Sequence, residues 1–392
     1  MKQYFEKAKA ASRAVALLSD ERINHVLLRM ADTIIDNKES LLAANALDLA
    51  QMERENPLYD RLQLTSERLD GIANDMRHVA GLPSPLGKIT CEHTLPNKLH
   101  LRRISVPFGV IGVIYEARPN VSFDVFSLCL KSGNACVLKG GRDAQHSNEA
   151  IVNLIRQTLQ DEGITPDAVT LLPATHDATG AMLQAVGYID LCIPRGGKRL
   201  IEFVRDNARV PVIETGAGVV HAYFDKDGDL AMGQRIINNA KTRRVSVCNA
   251  LDCLLVHRDR EADLPALLSP MDGLVTYHYD ADDWGREWMS HDLSIRIVDS
   301  FDEALLHIQQ YSSGHSECII TDNAETADRF RREVDAACVY VNAPTSFTDG
   351  AQFGLGSEIG ISTQKLGPRG PMALEEMTTY KWLIDGEGQV RP

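Results

Sequence analysis

Apolar residues between positions 5 and 80 recur at helical spacing. Ile23, Val26, Leu27, Met30 and Ile34 fall on one face of a 3.6-residue period, with polar residues between them. The stretch predicts successive helices that cap a sheet, and Pro83, Pro85 and Gly87 end it. The period then changes. HLRRISVPFGVIGVIY, over 100–115, is rich in β-branched residues and is interrupted by Pro107 and Gly109, which predicts a hairpin-like crossing of two strands.

From 109 onward strand and helix alternate. GVIGVIY, ACVL at 135–138, VTLLP, YIDLCIP and VPVIET read as strands; 121–131, 147–160, the residues after Asp177 and 198–207 read as the helices between them. Five short apolar strands with helical crossovers imply a parallel sheet covered on both faces, a doubly wound domain of the nucleotide-binding type. Loops at the carboxyl ends of such strands form the ligand crevice. Here they are RPN at 118–120, KGGRDA at 139–144, PRGG at 194–197 and ETGAG at 214–218. A second alternating region begins near Asp229, with strands predicted at 251–256, LVTYH, LSIRIV, ECIIT and CVYVN, and helices around 263–268, 302–311 and from Ala324. A glycine-rich tail and an extended MTTYKWLI follow.

Composition narrows the field. A chain of 392 residues holds two or three domains, and its 44% hydrophobic and 24% charged content is that of an ordinary globular protein. A net charge of −13 with scattered Lys and Arg excludes a nucleic-acid surface. No run approaches the roughly 18 apolar residues of a membrane span, and the N-terminus lacks the apolar core of a signal peptide. Eight cysteines without pairing-like spacing fit a reducing cytoplasm. There is no CxxC pair, HExxH, GxGxxG or GxxxxGK[ST], so neither a metal site nor a typical dinucleotide or P-loop grip is indicated.

The candidate chemistry centres on KTRRVSVCNALDCLLVH, 241–257. Cys129, Cys136, Cys192, Cys253, Cys318 and Cys338 sit in apolar runs, where a thiol packs as a small hydrophobe. Cys248 instead follows Lys241, Arg243 and Arg244 and precedes Asn249, in a loop beside positive charge. Such a setting raises the thiolate fraction that a nucleophile needs. Asn120, at a strand end, is able to donate to an oxyanion or simply to make a turn. Glu214 ends another strand facing the same crevice, and Gly354, Gly356 and Gly360 read as a tightly turning or mobile loop.

Taken together and in order, VPFGVIGVIYEARPNVSFD, SGNACVLKGGRDA, DLCIPRGGKRLI, AKTRRVSVCNALDCLLVH, SSGHSECIIT and FGLGSEIGISTQKLGPRGPMALEEMTTYKW resemble the gamma-glutamyl phosphate reductase family of aldehyde-dehydrogenase-like enzymes. The resemblance implies an aldehyde dehydrogenase-like α/β architecture: a parallel Rossmann-type cofactor domain (1–95 and 113–224), an α/β catalytic domain (225–355), and a small β oligomerisation element (96–112 and 356–392). It implies NADPH-dependent reduction of glutamyl 5-phosphate to glutamate 5-semialdehyde in proline synthesis, through a Cys248 thioester. A homo-oligomer and functional coupling to glutamate 5-kinase belong to the same expectation. Asn120 and the Cys248 backbone N–H are placed by analogy as oxyanion donors, and Arg244 as the cation that activates the thiol and meets the phosphate. Glu214 matches the water-activating position of hydrolytic aldehyde dehydrogenases and stands as a candidate catalytic residue, although acyl-phosphate reduction omits that water step. On the cofactor side the resemblance points to Lys139, Gly141, Arg142, Gly196, Gly197 and Glu287, with Arg142 standing where NAD-preferring relatives carry a glutamate and therefore favouring NADP. Two alternatives remain open at this point: a hydrolytic aldehyde dehydrogenase, and a catalytically silent nucleotide-binding scaffold.

Overall fold

The structure, a computed structural model, describes residues 1–56 and 58–391. Pro57 and Pro392, inside the expected cofactor-binding and oligomerisation segments, lie outside them. The chain divides into two compact units: residues 1–214, 354–360 and 372–392 form the first, and 215–353 and 361–371 the second.

The first unit begins with the predicted run of helices, Lys2–Val15, Asp20–Asp36, Lys38–Leu49, Tyr59–Leu62 and Ser66–Gly81. Local signals set their starts. Ser19 and Thr65 each accept a backbone N–H three residues on, at 3.2 Å, which satisfies an otherwise orphaned helix donor. Ile23, Val26, Leu27, Met30 and Ile34 are all essentially inaccessible and share one core with the sheet, as their spacing requires.

That sheet has four parallel strands in the order Val169–Leu171, Ala135–Lys139, Val110–Tyr115, Leu191–Arg195. The predicted fifth strand, VPVIET, is reduced to one parallel bridge between Val212 and Cys192. Pro211 supplies no N–H to a ladder, so pairing there cannot extend. The predicted hairpin-like crossing over 100–115 does not form either. His100–Pro107 pairs antiparallel with Ile89–Thr94 on one side and Thr378–Asp385 on the other, in a separate three-stranded sheet. Gly109, at φ 122°, turns the chain out of that sheet and into the parallel one, a conformation that only glycine adopts without strain.

The second unit carries a six-stranded sheet, ordered Cys338–Val341, Ser316–Ile320, His221–Phe224, Cys253–His257, Asp292–Val298, Thr276–His278. Every neighbouring pair is parallel. His221–Phe224 has no counterpart among the predicted strands. It lies at the centre of the sheet and is fully buried.

Candidate active site

Cys248 lies beyond the end of helix Leu230–Thr242, in the loop that leads to strand Cys253–His257. Among the cysteines of the second unit it alone is not buried. Burial pushes the thiols of Cys318 in this unit and Cys192 in the first up to about 12, which leaves them protonated and inert at neutral pH.

The loop is held from several directions. Gly218 passes so close that a Cβ built on it would overlap the Cys248 carbonyl. Asn249 Nδ2 donates to Thr348 O at 2.9 Å, and Thr345 Oγ1 donates to Asn249 O at 2.9 Å. Ser346 Oγ in turn donates to Asn239 Oδ1 at 2.6 Å, on the preceding helix. The basic segment divides in two. Arg243 and Arg244 are exposed, whereas Lys241 is inaccessible and donates to Leu251 O at 2.9 Å. Lys241 therefore braces the loop's exit rather than standing beside the thiol in water.

Glu287 also belongs to this unit, and its Oε1 accepts the Gly218 N–H at 3.0 Å. Glu214 is the last residue of the first unit's main segment and lies 3.8 Å from Arg205. Asn120 stands at the N-terminus of helix Val121–Lys131 in the first unit, donating one amide hydrogen to Asp124 Oδ2 at 3.0 Å. That bond fixes the amide and leaves its second hydrogen available. Just before it, Ala117 takes φ 33°, the left-handed region that non-glycine residues seldom enter, so the 116–120 turn holds local strain.

The turn after strand Ala135–Lys139 gathers positive charge. Lys139 is half-buried; burial and then the Arg142 guanidinium lower its pKa, and Glu116 partly offsets them. Arg142 opens a short 3-10 turn and is exposed. The two adjacent glycines differ in use. A side chain at Gly140 would strike Asn148, whereas a Cβ on Gly141 would meet its nearest atom, Ala117 N, at an ordinary contact distance of 3.5 Å. Gly140, Gly141, Arg142 and Gln145 line a cavity of about 680 Å³ together with Lys7 and Tyr4 of the N-terminal helix. Gly196 and Gly197 serve Glu116: its Oε2 accepts the Gly197 N–H at 2.9 Å, and a side chain at 196 would displace that carboxylate. Glu116 is not among the residues expected at the site, although its place directly after a buried strand signals it. Nor are Gly218, Asp252 and Lys7, whose roles depend on partners distant in sequence.

One cluster has metal-like composition. His221, Cys253 and His307 are buried with their ligand atoms within 4.8 Å of one another. Arg296 Nη1 lies 2.7 Å from His307 Nδ1, so that nitrogen accepts and Nε2 carries the proton, facing Cys253 Sγ at 3.6 Å. A nitrogen so protonated is a donor to sulfur, not a metal ligand.

The aldehyde dehydrogenase family model matches residues 1–270. The gamma-glutamyl phosphate reductase of Bacteroides thetaiotaomicron is 56% identical over 408 residues, covering 99% of this chain and 98% of that protein. That of Pelodictyon phaeoclathratiforme is 56% identical, covering 97% of this chain and 96% of that protein. The chain belongs to the gamma-glutamyl phosphate reductase group of the aldehyde dehydrogenase family. The crystal structure of gamma-glutamyl phosphate reductase from Thermotoga maritima superposes with a TM-score of 0.96 at 38% identity, covering 100% of this chain and 99% of that one. An acetylating aldehyde dehydrogenase from Geobacillus thermoglucosidasius, at 16% identity and a TM-score of 0.74, shares the fold. The aldehyde dehydrogenase fold is thus the one expected from the motifs. Membership of this reductase group implies a nicotinamide cofactor. The first unit suits one: a parallel sheet, a 680 Å³ cavity at the carboxyl ends of its strands, and two neighbouring cations, Lys139 and Arg142, the second lowering the pKa of the first. Among the described residues no helix is long and apolar enough to cross a membrane.

Proposed function

We propose that this chain reduces L-glutamyl 5-phosphate to L-glutamate 5-semialdehyde and inorganic phosphate, with NADPH, as a step of proline synthesis in the cytoplasm. The names of its full-length relatives support the substrate, and the observation that carries the chemistry is that Cys248 is the sole cysteine of its unit outside the core. In this reading the Cys248 thiolate attacks the acyl carbonyl, the carbon–sulfur bond forms, and the carbon–oxygen bond to phosphate breaks. Its backbone N–H and the Asn120 amide donate to the oxyanion, an interaction of a kind worth about 10² to 10³ in rate. Arg244, exposed and able to swing, meets the departing phosphate. When bound, NADPH would supply the hydride to the thioester carbon, and the aldehyde leaves as the carbon–sulfur bond breaks and Cys248 returns to its thiolate.

Lys139 and Arg142 hold the cofactor's 2′-phosphate, on either side of Gly140 and Gly141. Glu287, its Oε1 still on the Gly218 N–H, meets the nicotinamide ribose. Glu214 takes no part in acyl transfer, since phosphate rather than water supplies the leaving or entering group. The reverse reaction tests the whole reading: NADP reduction by glutamate 5-semialdehyde is expected only when phosphate or arsenate is present. Turnover without either would make the chain a hydrolytic aldehyde dehydrogenase, and no turnover with both would make it a silent scaffold.

We also propose that the three-stranded sheet joins copies of the chain. Tyr380, Trp382 and Ile384 alternate along its edge strand Thr378–Asp385 and are 56%, 43% and 59% exposed. Residues two apart share a face, so these three form one apolar stripe beside an unpaired strand edge. Sedimentation at micromolar concentration is expected to show at least a dimer; a monomer there removes the proposal. Functional coupling to glutamate 5-kinase, which makes the labile acyl phosphate, follows from the substrate's chemistry. It is checked by whether adding the kinase changes semialdehyde formation beyond what free acyl phosphate supports.

A further inference from the structure

The residues around Cys248 close into a ring. Starting from its carbonyl, the next atom in contact range belongs to Gly218, where any side chain would collide. The Gly218 N–H donates to Glu287 Oε1 at 3.0 Å. One residue on, the Trp288 N–H donates to Asp252 Oδ1 at 3.0 Å, while Asp252 Oδ2 accepts the Val220 N–H at 3.3 Å. Asp252 lies four residues after Cys248, and its own backbone is fixed too: its N–H donates to Val220 O at 3.0 Å, and its carbonyl accepts from Ser294 N at 2.9 Å. Met289, just beyond Trp288, takes φ 54°, so the segment that delivers Glu287 and Trp288 is held in a conformation it does not adopt without support.

We propose that Asp252 is a positioning residue for Cys248: its carboxylate ties the Trp288 and Val220 backbones to the segment leaving the nucleophile, and so holds Gly218 and Glu287 as a fixed wall against the Cys248 carbonyl. This rests on the reading of Cys248 as the nucleophile. The chemistry of a carboxylate is what the place demands. Two backbone N–H groups converge on one side chain that is 3% exposed, and only a group with two acceptor oxygens satisfies both. An amide offers one acceptor and turns its NH₂ toward the other N–H.

The charges facing Asp252 are Lys241 and Glu287; Lys241 in turn faces Asp292, whose pKa hydrogen bonds with Ser290 and then His278 lower. Burial, with Glu287, pushes Asp252 up to about 7 against the two N–H bonds and Lys241. Burial brings Lys241 down to about 8. Above about 7 the carboxylate therefore grips both backbones, and as the pH falls through that value one oxygen gains a proton and the wall loosens.

The test uses the full chain and the variants D252N, D252E, K241M and K241M/D252N, the last, read against K241M because Lys241 itself braces the loop, keeping the buried pair neutral should D252N alone fail to fold. For D252N, or the double variant in its place, kcat at pH 8 is expected to fall about tenfold to a hundredfold, the loss of a charge-assisted hydrogen bond. KM for the acyl phosphate stays within about threefold. Wild-type kcat is expected to fall as the pH drops through about 7, a dependence that disappears in D252N, and D252E restores most of the rate. Alkylation of Cys248 by iodoacetamide, read by mass on its own peptide, departs from the wild-type rate by more than about threefold in D252N. A folded D252N with wild-type kcat, inflection and alkylation rate overturns the proposal and leaves Asp252 a packing residue. The alkylation arm does not depend on turnover, so a C248A variant that stays active defeats the nucleophile reading separately from this one.

Discussion

The turn at Lys139–Arg142 and the loop at Cys248 draw their supports from different distances along the chain. The turn is local: its charges, its glycines and its 3-10 start all fall within four consecutive residues at the end of one strand. The Cys248 loop is assembled from Gly218, Lys241, Asp252, Glu287 and the 345–348 turn, segments that only the folded sheet brings together. The difference follows from what each must do. Coulomb attraction falls off slowly with distance, so a cation site tolerates small displacements of its charges. Attack on a carbonyl does not, because a misplacement of about 1 Å costs about a hundredfold in rate. The site with the tighter tolerance is the one braced from many directions.

The sharpest way to break this comparison is to remove the thiol. C248A is expected to lower turnover by at least about a thousandfold, with NADPH binding and thermal unfolding close to wild type. Fluorescence titration of the cofactor and a melting curve check the second half. The internal control is five residues away. Cys253 is inaccessible, so C253A should cost stability through lost packing while each folded molecule keeps its kcat. Near-normal turnover in C248A would reduce the whole braced loop to packing.

A smaller effect distinguishes bracing from mere proximity. G218A places a methyl on the Cys248 carbonyl, so either the loop or strand His221–Phe224's entry must shift. We expect kcat to fall about tenfold or more and unfolding free energy to fall by about 1–3 kcal/mol. G141A is the counterpart in the turn. Gly141 has φ −68° and its nearest neighbour would sit 3.5 Å from the new methyl, so alanine fits both conformation and space, and stability should stay within about 0.5 kcal/mol of wild type. Denaturant titration of the two variants side by side reads the contrast. Equal costs would show that the Cys248 loop is no more tightly held than the turn.

The same contrast governs how much was legible in the sequence. The parallel strands of both units announce themselves as apolar runs, because a strand buried on both faces needs no alternation. The turn was legible as well, since KGGR carries its chemistry in adjacent letters. His221–Phe224 escaped because it has four residues and opens on a histidine, which reads as surface until Glu317 is found 3.2 Å from its ring. The hairpin-like reading of 100–115 failed because nothing local says that Thr378–Asp385 returns to pair with His100–Pro107. Cys248 could be singled out by comparison with its buried sisters, but not what holds it. Lys241 looked like a loop cation next to Arg243 and Arg244, and it takes the helix's phase and the Leu251 carbonyl to turn it inward.

The smallest effect concerns cofactor choice and tests the local half of the comparison. Arg142 is exposed, and exposed charges usually contribute little, because water screens them and ordering the side chain has an entropic cost. Lys139 changes that balance. It is half-buried, and Arg142 is among the causes that lower its pKa, so the two cations meet at a cost that a bound anion would relieve. A 2′-phosphate set between them gains charge-assisted bonds of about 1.5–3 kcal/mol each, and the guanidinium fork matches its oxygens. R142E reverses one of the two charges. Its kcat/KM with NADPH is expected to fall by at least about tenfold while that with NADH holds. The wild-type preference for NADPH should itself narrow as ionic strength rises, since an exposed contact is screened. Equal losses with both cofactors would place Arg142 in the turn's structure rather than at the phosphate, and no loss with either would leave Lys139 to read the phosphate alone.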